Sequence, residues 1–238
     1  MNSQNHLPVL IEVINKLGDF KDNIVFVGGS IISVYINESE SVAIRETFDV
    51  DCIVEANSRL EYEKFAQKLR ELGFSESSQE SVICRFKNKD LIIDMMPTNQ
   101  AIFGFGNPWY KEGIKSPKEI KIGKNVLRVL SLPYLIATKL DAFRDRGKSN
   151  FRTSHDLEDI ITLIDGNSYF PVEIKSIDEY LNKFLADTFT SFLIDKNFIE
   201  SIDGHISDRG NLSSRKQIIL SRVKDAIKVL EPGSVEAR

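Results

Sequence analysis

Cysteine, histidine and long apolar runs are what this chain has least of. Its 238 residues hold two Cys and three His. Cys52 and Cys84 stand alone in apolar, strand-like runs, a setting for reduced core thiols rather than a disulfide or a zinc site. His6, His155 and His205 lie far apart with no ligand spacing around them, which argues against zinc. No apolar run approaches the roughly 20 residues of a membrane span, and the polar stretch Met1–His6 does not resemble the start of a secretory signal. A cytoplasmic protein with no membrane partner is therefore expected. Internal repeats and low-complexity segments are also missing.

Charge is ordinary in amount and uneven in placement. A net charge of −4 argues against a protein that coats nucleic acid non-specifically. Between Trp109 and Arg152, however, seven Lys and four Arg face two Glu and two Asp, a local charge of +7, so the remainder carries −11. A basic middle of this kind suits a polyanion or a nucleoside triphosphate, or else lysines spread over solvated turns.

The apolar pattern predicts two kinds of architecture in series. Leu7, Leu10, Ile11, Ile14 and Leu17 recur at helical spacing before Gly18. Strand-like residues 24–27 end at Gly28-Gly29, Ser30–Asn37 reads as the following helix, and a polar loop at 38–46 leads to a strand over Thr47–Val54. Asn57 or Ser58 can cap the next helix, with Leu60, Phe65, Leu69 and Leu72 as its inner face and Gly73 ending it. Val82–Phe86 and Leu91–Met95 read as a hairpin around a Lys87–Asp90 turn, and residues 120–122 and 126–130 as a second hairpin. Between them, the Gly- and aromatic-rich stretch Phe103–Tyr110 is a loop whose rings pin it to the core or stack a base. From Pro133 on the pattern is helical, over Tyr134–Arg144, His155–Ile164, Ser176–Phe192 and Arg215–Leu230, with a frayed tail after residue 230. The expectation is an α/β (α+β) fold: a mixed-sheet core over residues 1–130 and a helical C-terminal subdomain over 131–238.

Three small motifs carry chemistry. Residues two apart on a strand share a face, so Asp49 and Asp51 point at one spot. Gly28-Gly29 lets backbone approach a phosphate that any Cβ would obstruct, and Ser30 adds a hydroxyl where a helix N-terminus favours an anion. Asp94 lies in Leu91-Ile92-Ile93-Asp94-Met95-Met96, an apolar strand in which a lone carboxylate is costly to bury, so a metal or a lysine must compensate it. Together they read as a metal–phosphate site.

This arrangement resembles the nucleotidyltransferase superfamily related to DNA polymerase β, in which a Gly-Gly/Ser turn precedes Asp-x-Asp on one strand and a third Asp on a later strand. The resemblance implies that Asp49 and Asp51 bind both metals, Mg²⁺ or Mn²⁺. It also implies that Asp94 holds the catalytic metal and accepts the proton of the attacking hydroxyl. The eighteen residues between Ser30 and Asp49 exceed the family's usual spacing. Arg45 and Thr47 resemble the Arg-x-Thr lead-in to the Asp-x-Asp strand. A second stretch, Ile136-Ala137-Thr138-Lys139-Leu140-Asp141-Ala142-Phe143-Arg144-Asp145-Arg146-Gly147 with His155-Asp156-Leu157-Glu158-Asp159-Ile160, resembles the AbiEii-type toxin branch. That likeness implies that Lys139 contacts the triphosphate, that Asp156 orients it, and that Asp159 partners a basic residue. Without it, Lys139 reads as a snorkelling helix lysine and Asp156 as a helix N-terminal charge.

The resemblances, which cover roughly Val25 to Leu163, imply an ATP- or other NTP-using, Mg²⁺-dependent enzyme. It would move a nucleoside monophosphate onto an acceptor hydroxyl, an RNA (tRNA) end in a toxin–antitoxin or phage-defence setting, with an antitoxin protein as a further partner. Alternatives are a small-molecule or protein acceptor, or a non-catalytic nucleotide-binding module of the same fold.

Overall fold

The computed structural model describes residues 7–38, 42–76, 82–146 and 150–231; Gly147 and the tail past Glu231 lie outside them. These residues form two compact units. The first runs from the N-terminal helix to Val34 and again from Arg45 to Ser131, while the second takes Tyr35–Ile44 and the chain from Leu132 onward. The fold is α/β, with a mixed sheet followed by a helical C-terminal region. Among the described residues no helix is long and apolar enough to cross a membrane.

The first unit contains α1 (Leu7–Leu17), β1 (Val25–Val27), β2 (Asp49–Val54), α2 (Arg59–Glu71), β3 (Ser75–Glu76), β4 (Arg85–Asn88), β5 (Leu91–Pro97), the short α3 (Tyr110–Gly113), β6 (Lys118–Ile122) and β7 (Asn125–Val129). Its sheet has the order β3-β4-β5-β2-β1-β7-β6. β2 runs parallel to β5 and β1 parallel to β7, whereas β1–β2, β3–β4, β4–β5 and β6–β7 are antiparallel. α1 packs against β2 and β5 through an inner stripe that includes Leu10, Val13, Ile14 and Leu17.

Local chemistry sets the details. Ser58 caps α2 by accepting from the Glu61 amide, and the Glu61 carboxylate accepts in return from the Asn57 amide at 2.8 Å. The buried face of α2 is Tyr62, Ala66 and Leu69; of the inner face expected, Leu69 is buried, Phe65 and Leu72 are half-buried, and Leu60 is 72% exposed. Tyr62 fixes the rotation of the helix, because its hydroxyl donates to the Met95 carbonyl in the sheet at 2.9 Å. The helix expected over residues 30–37 is present as a seven-residue 3-10 helix, Gly29–Tyr35. Phe103 meets Tyr62 edge-on at 4.8 Å, Phe105 stacks on Phe103, and Trp109 and Tyr110 are buried, so the aromatic loop is pinned to the core by its own rings. Both cysteines are free and buried.

The second unit contains α4 (Leu132–Asp145), α5 (His155–Gly166), α6 (Phe170–Glu173), α7 (Glu179–Ile194), α8 (Lys196–His205) and α9 (Leu212–Leu230). Phe143, Phe151, Phe192 and Phe198 interlock at its centre with ring centroids 4.5–6.2 Å apart. The Tyr35–Ile44 segment belongs here because the Gly166 carbonyl accepts from the Asn37 and Glu38 amides. A Cβ on Gly166 would meet Ile36 at 2.7 Å and Val42 at 2.9 Å. Glu38 in turn accepts from Arg215 and Arg222.

Candidate functional site

Three strand registers bring the candidate residues of the first unit together. Asp51 pairs with Asp94 across β2–β5, Asp51 with Val27 across β1–β2, and Arg85 with Asp94 across β4–β5. Directly opposed residues point to the same face, so Arg85, Asp94 and Asp51 form one row that ends beside the Gly28 turn. Asp49 shares that face two residues before Asp51.

The glycine turn lies against this row. Gly28 has φ +74°, and a Cβ there would overlap the Asp51 carboxylate. A Cβ on Gly29 would come within 2.6 Å of the Thr47 methyl and 3.7 Å of Arg45 Nη2. The turn and the lead-in residues Arg45 and Thr47 are thus packed together. Ser30 is buried and its hydroxyl donates to the Val27 carbonyl at 3.4 Å. Because Ser30 stands in a short 3-10 turn, the helix-dipole argument for an anion is lost there; what remains is the backbone of the glycines.

Asp94 is only 7% exposed, and the cation that compensates it is a residue the sequence motifs did not single out. Arg85 grips Asp94 with two parallel bonds, Nε to Oδ1 at 2.8 Å and Nη2 to Oδ2 at 2.7 Å, and Nη2 also donates to Asp49 Oδ2 at 2.8 Å. The signal that could have found Arg85 is the hairpin register. A two-residue turn at Lys89-Asp90, with Lys89 at φ 54°, places Arg85 opposite Asp94, whereas the longer turn read from sequence does not.

Among the described residues no three Asp, Glu, His or Cys side chains are drawn into a formed metal cage. The donor set nevertheless suits a hard divalent cation, because it consists of carboxylate oxygens alone. Asp49 is the accessible member, its side chain 36% exposed against 10% for Asp94.

Lys139 and Asp156 lie in the second unit, on α4 and α5. Lys139 is buried and its ammonium donates to Asp159 Oδ2 at 2.6 Å and to Asp156 Oδ1 at 3.3 Å. Arg146 closes the other side of Asp156 with bonds of 2.9 and 2.8 Å. Burial alone would raise the Asp156 carboxyl, but the Arg146 hydrogen bonds and the Lys139 charge outweigh it and hold the group below its ordinary value.

Similarity to known proteins is confined to the fold. The crystal structure of JHP933 from Helicobacter pylori aligns over 97% of this chain and 94% of that one with a TM-score of 0.50 and 12% identity. No family model matches the chain, and no curated protein sequence does.

Proposed function

We propose that this protein is a metal-dependent nucleotidyltransferase whose active site is built on Asp49, Asp51 and Asp94. The observation that carries the reading is the register: three carboxylates share one face of two neighbouring parallel strands, and a glycine turn is packed onto one of them. Such a set gives oxygen ligands and a side-chain-free stretch of backbone in one place, the two things a metal-bound triphosphate needs. Asp49, Asp51 and Asp94 would hold Mg²⁺ or Mn²⁺, which would neutralise charge on the triphosphate. The amides of Gly28 and Gly29 hold the outer phosphates, and Asp94 accepts the proton of the acceptor hydroxyl.

The acceptor proposed is an RNA end, tRNA included, in a toxin-like role with an antitoxin partner; the +7 charge between Trp109 and Arg152 supports a polyanion. The test is to incubate the purified protein with each α-labelled NTP, Mg²⁺ and total cell extract, and to find where label goes. Label in RNA, with transfer that weakens steeply as salt rises, is the expected result. Label in protein or in small molecules replaces the RNA acceptor with one of those classes. No Mg²⁺-dependent transfer into any fraction overturns the enzyme reading.

A further inference from the structure

The Asp49–Asp94 pair already has a cation. From its position we infer that Arg85 gates metal binding: its guanidinium is the resident counter-ion of Asp49 and Asp94, and a divalent ion binds only by competing with it. This rests on the metal-site reading above and adds a residue that reading did not contain.

Three features carry the inference. First, Arg85 engages both oxygens of Asp94 and one of Asp49, so two of the three candidate ligands are committed to one side chain. Second, a guanidinium stays charged at any pH a protein survives. It therefore cannot lose a proton to make room for a metal as a buried lysine can; it must withdraw, or it must lower the metal's affinity by repulsion at a few ångströms. Third, the pairing keeps the site intact while it waits. Asp94 is nearly buried, and leaving its carboxylate without a cation is strongly unfavourable. Arg85 sits on β4, a strand of four residues, and its side chain retains 19% exposure, so withdrawal toward water does not require opening the core.

The consequence is a site that stays folded without metal and binds it more weakly than its three carboxylates alone would. Metal binding and stability then respond to Arg85 in opposite directions. A purely structural ion pair would lower stability on removal and leave metal affinity unchanged or weaker.

The experiment measures Mn²⁺ binding to the full chain by calorimetry or electron paramagnetic resonance, for wild type and for Arg85→Gln. Thermal melts follow, with and without saturating Mn²⁺. The expected result is at least tenfold tighter Mn²⁺ binding by Arg85→Gln. Its metal-free melting temperature should be lower than that of wild type, and the gap should narrow when Mn²⁺ is added. Arg85→Lys keeps the charge but not the fork, and serves if the glutamine variant does not fold; it should bind Mn²⁺ more tightly than wild type. Affinity equal to or weaker than wild type overturns the gating role and leaves the metal site standing. If neither wild type nor variant binds Mn²⁺ at millimolar concentration, both the gate and the metal reading fall.

Discussion

The Asp51 carboxylate occupies the space that a side chain on Gly28 would need, so the glycine turn and the Asp-x-Asp strand are fitted to each other rather than merely close in sequence. Gly28 also has φ +74°, where an L side chain is strained. Gly28→Ala is expected to cost about 1–3 kcal/mol from backbone strain, with a further loss from displacing Asp51. Chemical denaturation checks the first effect, and Mn²⁺ titration the second. An unchanged midpoint and unchanged metal binding would contradict the packing of Gly28 against Asp51.

Lys139 gives a prediction that separates two roles. Its ammonium is buried between Asp156 and Asp159, whose side chains are 6% and 3% exposed. Lys139→Met takes the ammonium away from buried Asp159 and leaves Asp156 to Arg146 alone, and should destabilise the second unit by about 3–5 kcal/mol. A role confined to touching a triphosphate predicts the reverse pattern, weaker nucleotide binding with normal stability. Urea melts of the folded variant, read beside nucleotide affinity, distinguish the two.

The same network sets a pH dependence. Asp156 is held below its ordinary value in the folded protein, so the unfolded chain binds its proton first as pH falls. The stability contributed by its ionised form is fully present above the ordinary carboxylate range, near 3.9, and is lost as pH drops through the lower folded value. The advantage of wild type over Asp156→Asn should therefore be constant near neutrality and shrink in acid. Stability curves of the two proteins from pH 7 to pH 3 check the sign, and a difference that grows on acidification contradicts it.

Burial pushes the Cys52 thiol well up and raises Cys84 to about 12. Since the thiolate is the reactive form, both should be inert to thiol reagents in the folded protein and react only on unfolding. Spectrophotometric titration with and without denaturant should give close to zero and two thiols. Rapid labelling of either in the native state would mean that its strand opens.

Much of the site was legible from sequence because it depends on short-range rules. Period-two alternation put Asp49 and Asp51 on one face, and a carboxylate inside an apolar run marked Asp94. What sequence missed depends on pairing over distance or on exact turn length. The significance of Arg85 appears only once Asn88 is paired with Leu91, since shortening the turn to two residues moves Arg85 opposite Asp94. Residues 30–37 are apolar enough for either helix type, and the tight packing of Gly28 and Gly29 on Asp51 and Thr47 accompanies a 3-10 turn instead. The attachment of Tyr35–Ile44 to the helical unit rests on the Gly166 carbonyl and on Arg215 and Arg222, more than 120 residues away in the chain, and no local pattern announces it.

The carboxylate site is tested by comparing wild type with Asp49→Ala and Asp51→Ala in Mg²⁺-dependent transfer of an α-labelled nucleotide, with circular dichroism to establish that each variant is folded. Both residues are half-buried rather than part of the apolar core of β2, so folding should survive their removal. Wild type should transfer the label, and either variant should give only background. Full transfer by a folded Asp49→Ala or Asp51→Ala protein would contradict it.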